Sequence, residues 1–229
     1  MLEVAVRMDS NYLKFCRFKI ELAFVDTQVF LSTKNRGYIQ KIKQEKLKVF
    51  SIHAPHFKVA DPQLESILYK LKELGNELLV DNIVIHPSFA KLHTDSTLHS
   101  LDLIKSILGD FNICIETFGS KKRWGCWGNF DWLNRYYGFR VCYDFSHTRE
   151  DEEDIHYYLP IISVFHFSNT VGNKQHLPCF IENGRIDFKK VIKILHKFNW
   201  NGVITLEYLK EYHNLLEQDA QSLEELIYG

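Results

Sequence analysis

Six apolar runs in this chain each close on a side chain able to bind a metal: His53, His86, Glu116, Asp144, His166 and Glu207. No other feature limits the fold as tightly. In a closed barrel of parallel strands, the C-terminal ends of different strands meet at one mouth, and catalytic groups are drawn from those ends. Six endings of this kind predict a barrel whose polar groups converge. Any one of them could make an ordinary loop hydrogen bond, since polar residues are common just past a strand. Six in one pocket need mutual partners or a cation, because a buried polar group left alone is costly.

Helical signals alternate with the runs. Residues 4–8, 20–25, 47–53, 78–86, 139–144, 161–166 and 202–207 read as strands, and a further strand ends on Glu116. Asp61 and Pro62 start a helix that carries Leu64, Ile67, Leu68 and Leu71 at helical spacing and stops at Gly75. Leu98, Leu101, Ile104, Ile107 and Leu108 form a second stripe closed by Gly109, and Asp187 caps a helix over 188–198. Residues 37–46, a short acidic stretch around 150–158 and residues 215–227 complete the helices. Eight alternating units predict a single (β/α)8 TIM barrel over residues 1–229, one domain with its active site at the C-terminal strand ends.

Composition narrows the partners. With 45% hydrophobic residues in 229 the chain can bury a full core, while a net charge of −1 supplies no general drive toward nucleic acid or an anionic membrane. Five cysteines, an odd number without a CxxC pair, read as reduced thiols and give the expectation of a cytoplasmic protein. The opening MLEVAVRMD carries charge early, unlike a signal peptide, and nowhere do about 18 apolar residues run together as a membrane span requires. Imidazole mixed with carboxylate suits zinc, manganese, cobalt or iron, whereas an all-oxygen set suits magnesium or calcium.

The local motifs follow one another in order: His53-Ala54-Pro55, His86-Pro87, Glu116-Thr117, Asp144-Phe145-Ser146-His147, His166, His176-Leu177-Pro178, Gly184 to Phe188, and Leu206-Glu207. This set resembles the xylose-isomerase-like barrel superfamily, which holds sugar isomerases and epimerases beside endonuclease IV (AP endonuclease family 2). The resemblance implies a divalent metal at the C-terminal face, as one or two ions. Glu116, Asp144, His166 and Glu207 match the metal tetrad of the epimerases; His53 and His86 match ligands that endonuclease IV uses for a second metal sharing Glu116. A third metal in that branch is held by the His of Asp-x-x-His and by an Asp-x-His pair. His147 and His176 fit, but Lys174 stands where the Asp belongs, and a protonated ammonium has no lone pair to give. Asn173 or Asn169 would have to substitute.

The resemblance gives as its first expectation a metal-dependent isomerase or epimerase of a sugar or sugar phosphate, acting through a metal-stabilised enediolate with Glu116 and Glu207 as acid and base. In that reading His147 and His176 contact substrate or orient a ligand. The alternative is an endonuclease IV-like hydrolase acting on abasic DNA, with the nucleic acid as partner in place of the sugar. The segment 119–130 bears on both readings. Lys121, Lys122 and Arg123 could hold a phosphate, and Trp124 or Trp127 could cover a sugar or stack on a base, or all could sit on the barrel rim.

Overall fold

The computed structural model describes residues 2–9, 17–24, 26–32, 36–58, 61–86, 93–118, 127–148 and 152–229. The barrel strands are β1 (Leu2–Asp9), β2 (Lys19–Ala23), β3 (Val49–His53), β4 (Asn82–Ile85), β5 (Asn112–Glu116), β6 (Arg140–Asp144) and β7 (Ile162–Phe167). A small hairpin of β8 (Asn169–Val171) and β9 (Lys174–Leu177) follows, and β10 (Gly202–Leu206) completes the barrel. All but β8 and β9 pair in parallel, each with its sequence neighbour, and β10 pairs with β7 and β1 to close the cylinder. The helices are α1 (Thr27–Leu31), α2 (Arg36–Gln44), α3 (Leu64–Leu78), α4 (Asp95–Leu108), α5 (Trp127–Tyr137), α6 (Phe188–Lys197) and α7 (Leu216–Tyr228). This is a TIM barrel, as the alternation of the sequence predicts.

Alternation along each strand separates two cores. In β5, Ile113 and Ile115 face outward into the large apolar cluster that holds Leu68 and Leu71 of α3 and Leu101 and Ile104 of α4. The alternate residues Asn112, Cys114 and Glu116 share the other face. Val84, Cys114, Cys142 and Val164 form a second, smaller cluster apart from the first. Short side chains there leave the strand ends free to carry longer polar ones into the axis.

Several boundaries differ from the sequence expectation. Helix α3 passes Gly75 and ends at Leu78, with Leu79 in the left-handed region at φ 54, so β4 begins at Asn82 and not at 78. Gly75 is there for packing: a Cβ on it would meet the Phe111 ring at 2.8 Å. Its lack of a side chain lets β5's lead-in approach the helix. Helix α5 starts at Trp127, inside the segment expected as a loop up to 130. The acidic stretch near 150–158 is a 3-10 turn over Glu152–Tyr157. No helix among the described residues is long and apolar enough to cross a membrane.

Candidate metal centre

The strand-end residues meet at one end of the cylinder. His166 at the end of β7 lies at the centre of the arrangement. Its Nδ1 is 2.7 Å from Glu207 Oε2 and 3.3 Å from Glu116 Oε1. His147 Nδ1 lies 3.5 Å from that same Glu116 Oε1 and 3.3 Å from Asp144 Oδ2. The other oxygen of Glu116 serves different partners: Oε2 is 3.1 Å from His53 Nε2 and 3.7 Å from His86 Nε2. His176 completes the ring, its Nε2 3.1 Å from His147 Nε2 and its Nδ1 3.7 Å from Glu207 Oε1. Donor atoms of Glu116, Asp144, His166 and Glu207 lie within 4.8 Å of one another, and so do those of three smaller groups: His53–Glu116–His166, His86–Glu116–His147 and Asp144–His147–His176.

Local structure fixes each donor. His53 Nδ1 stands 3.0 Å from the Ala54 carbonyl, which anchors the ring with Nε2 facing Glu116 Oε2 at 3.1 Å. His147 rides the turn after β6, and four contacts hold that turn. Ser146 N donates to Asp144 Oδ1 at 2.6 Å, Gln175 Nε2 to the Ser146 carbonyl at 2.8 Å, and Arg185 Nη2 to the carbonyls of Phe145 and Thr148 at 2.6 and 2.8 Å. His176 sits near the end of β9 with φ 55, an uncommon conformation for a residue with a side chain, of the kind that clusters at functional sites.

Two residues outside the expected ligand set complete the site. Glu21, from the middle of β2, is fully buried; its Oε1 is 3.0 Å from His166 Nε2 and its Oε2 accepts from Ser51 Oγ at 2.7 Å. A carboxylate behind an imidazole in this way sets which ring nitrogen faces forward. Arg7, from β1, pairs directly with Glu207. Both are charged residues flanked on each side by apolar ones within a strand, and that is the signal that could have found them. His56, itself exposed, stacks on His86 with ring centroids 4.2 Å apart, and Phe118 lies edge-on to His86 at 5.2 Å.

Other expectations fare differently. Lys174 is exposed on β9, so its ammonium does not enter the cluster. Neither asparagine replaces the missing Asp: Asn173 is exposed, while Asn169 engages the carbonyls of Cys179 and Ile186 and the amides of Thr170 and Ile186. Gly184 is required beside it, since a Cβ there would come within 2.3 Å of the Asn169 amide. Lys121, Lys122, Arg123 and Trp124 lie outside the described residues, as does the side chain of Trp127.

Electrostatics make the donor set fit a cation. Glu116 Oε1, Asp144 Oδ2, His147 Nδ1, His166 Nδ1 and Glu207 Oε2 are buried with no hydrogen-bond partner, and all five face one another. Among the described residues no Lys or Arg pairs with Glu21, Glu116 or Asp144, and Arg7 alone of them pairs with Glu207. Burial would push the Glu116 carboxyl up, but hydrogen bonds from the His147, His166 and His53 rings around it hold it well below the usual carboxylate range. Burial likewise opposes ionisation of Glu207, and Arg7 and His166 outweigh it. Burial dominates at His86 and lowers its pKa to about 3, leaving a neutral ring whose lone pair is available. Burial disfavours an imidazolium at His147 too, yet Asp144 and Glu116 prevail and push it up to about 9. A divalent cation with N/O ligands would satisfy these facing carboxylates and imidazoles together.

Fold and site together define a parallel barrel with an imidazole–carboxylate cluster at its C-terminal mouth. Residues 72–226 match the family described as xylose isomerase-like TIM barrel, and the chain belongs to that family. It is 25% identical to an uncharacterised protein of Methanocaldococcus jannaschii over 194 residues, 74% of this chain and 71% of that one. Among solved structures it is similar to endonuclease IV from Thermus thermophilus, with a TM-score of 0.68, 14% identity, and 97% and 99% of the two chains covered. It is also similar to a D-allulose 3-epimerase from Methylomonas sp., with a TM-score of 0.66, 14% identity, and 99% and 95% covered. Both likenesses concern the fold.

Proposed function

We propose that this barrel is a divalent-metal-dependent phosphoester hydrolase whose centre holds more than one ion. The observation that carries the reading is the division of labour at Glu116, with Oε1 toward His166 and His147 and Oε2 toward His53 and His86. A carboxylate with separate imidazole partners on its two oxygens is suited to bridging. Glu116, Asp144, His166 and Glu207 would hold one ion, His53 and His86 with Glu116 a second, and the Asp144–His147–His176 group offers donors for another. Bound ions of this kind would polarise a phosphoryl oxygen and lower the pKa of an attacking water. The protein's own groups do the rest. Glu21 keeps His166 turned forward, Arg7 holds one oxygen of Glu207 so that the other points inward, and the Phe118 and His56 rings wall the side next to His86. The ligand missing at Lys174 bears on the Asp144–His147–His176 group alone and leaves the two groups that share Glu116 complete.

A second reading, the sugar or sugar phosphate isomerase, draws support from a different contact. Glu116 Oε1 and Glu207 Oε2 both reach His166 Nδ1, so the two carboxylates flank one point, as an acid–base pair requires. One experiment separates the two. Protein reconstituted with zinc, manganese or cobalt is analysed for metal, then assayed against phosphate mono- and diesters, duplex DNA with one abasic site, and ketoses with their phosphates. Two or more ions per chain and phosphoester cleavage, both lost in Glu116→Gln, are expected. A single ion with ketose epimerisation and no cleavage would establish the isomerase and end the hydrolase reading.

A further inference from the structure

Beside the donor cluster, the described residues form a cleft of about 190 Å³ lined by Arg7, Ala23, His176, Glu207, Tyr208 and Lys210, with His213 at its edge. We infer that this cleft is a subsite for an oxyanion of the substrate, a phosphate or carboxylate, gripped by Arg7 and Lys210. The inference deepens the proposed function and rests on it for the position of the reacting group. The substrate would then be a small molecule with an anionic group of its own in addition to the bond being broken.

Charge is the first support. Glu207 is the acid of the lining, and its oxygens are committed to Arg7 on one side and His166 on the other. Arg7 uses part of its guanidinium on that contact, and a guanidinium has five N–H donors, so others are left for the cleft. No carboxylate lies within ion-pair distance of Lys210 among the described residues, although it stands on the rim. The lining therefore carries two permanent cations, Arg7 and Lys210, against the single acid Glu207, an excess of one positive charge.

Construction is the second. Lys210 opens a 3-10 turn, Lys210–Leu215, that is tethered on several sides. Leu209 N donates to the His176 carbonyl at 2.9 Å, and Tyr212 N to the Leu209 carbonyl at 2.8 Å. Tyr208 Oη donates to Asp219 Oδ2 at 2.7 Å and accepts from Cys179 N at 2.9 Å, tying this segment to α7 and to the hairpin. Ala23 opposite is the smallest side chain that still continues β2, and it leaves the floor open. Size is the third: pockets for whole drug-sized ligands run from about 300 Å³ upward, so this one suits a single charged group extending from a substrate centred elsewhere.

Two larger clefts lie away from the donor cluster: one of about 450 Å³ lined by Glu3, Lys19, Lys46 and Lys48 at the N-terminal side of β1 and β2, and one of about 440 Å³ lined by residues of α2 and α3.

The test is calorimetric titration of the full chain with inorganic phosphate and, in parallel, acetate, in zinc-loaded and chelated protein. The variants are Lys210→Ala and Lys210→Glu, both at an exposed position and so without folding cost. Phosphate is expected to bind both forms, with affinity reduced about tenfold in Lys210→Glu, a change equivalent to about 1.4 kcal/mol, and with zinc content unaltered. Acetate competing as well as phosphate would assign the subsite to carboxylates. Phosphate affinity within twofold of the parent in Lys210→Glu, or binding that vanishes on chelation, would overturn the subsite by placing the anion on the ions. Absence of phosphoester cleavage by the zinc-loaded parent, with Lys210-dependent binding intact, would instead overturn the hydrolase and leave the subsite standing.

Discussion

At the scale of single residues, the centre is a set of donors whose protonation is coupled to folding. In the absence of ions His86 is held neutral by burial, its pKa near 3 against an ordinary 6.5, while His147 is pushed up from 6.5 to about 9 after its carboxylate neighbours overcome burial. The signs are opposite. A depressed histidine stabilises the fold above its unfolded pKa and loses that contribution as pH falls from 6.5 toward 3; a raised one contributes fully below 6.5 and loses its share as pH climbs toward 9. Metal-free protein should therefore be most stable near pH 6.5 and melt at lower temperature on both sides, measured by thermal scans in chelator. A melting temperature that keeps rising to pH 9 would contradict the His147 contact. What is legible at this scale follows from position. His53, His86, Glu116, Asp144, His166 and Glu207 end apolar runs, where a polar residue announces a strand terminus. Glu21 and Arg7 lie inside their strands, where one charged letter between apolar neighbours says that it is paired without saying with what. His176 is readable only through its neighbours in the motif, because its left-handed backbone belongs to a hairpin that has no apolar signature.

At the scale of elements, the long periodic helices and the eight strands are evident from alternation, and boundaries are misplaced where glycines look like local punctuation. Gly75 has the appearance of a helix stop and is a packing gap for Phe111. Segment 119–130 reads whole as a loop because glycines and a charge run hide the start of α5 at Trp127. Helix α6 shows the opposite case, where local chemistry and tertiary need agree. Asp187 accepts from the amides of Lys189 and Lys190 at 3.0 and 3.2 Å, and Val191, Ile192 and Leu195 enter the core behind it. Asp187→Ala removes that cap and should cost about 1 kcal/mol, read as a lower urea midpoint with an unchanged slope. A changed slope would mean that Asp187 holds more of the fold than the first turn of α6. The helix also follows directly on Ile186, whose amide and carbonyl are bound by Asn169, so the cap and the asparagine fix one end of the segment that carries Arg185 to the turn at His147.

At the scale of the whole molecule, every barrel strand contributes a group to the mouth: Arg7 from β1, Glu21 from β2, His53 from β3, His86 just after β4, Glu116 from β5, Asp144 from β6, His166 from β7 and Glu207 just after β10. A cation held there would bind strands that are remote in sequence but adjacent around the ring. Pairing of β1 with β10 is what closes that ring, with Leu2 opposite Gly202 and Val6 opposite Leu206, and the Arg7–Glu207 contact lies one residue beyond the registered pairs. Ion binding and barrel closure are thus predicted to be linked. An ion that binds only the folded chain, supplied at about a thousand times its dissociation constant, adds about 4 kcal/mol, which for a chain of this size raises the melting temperature on the order of 10 °C. Chelation should reverse that rise, and hydrogen exchange should quicken first in β1 and β10, because the seam depends on a contact to one of the ion's own ligands. If chelated and zinc-loaded protein melt together, the convergent donors hold no ion that matters to the fold. If exchange instead quickens uniformly, the seam is held by strand pairing alone, and Arg7 acts only on the site.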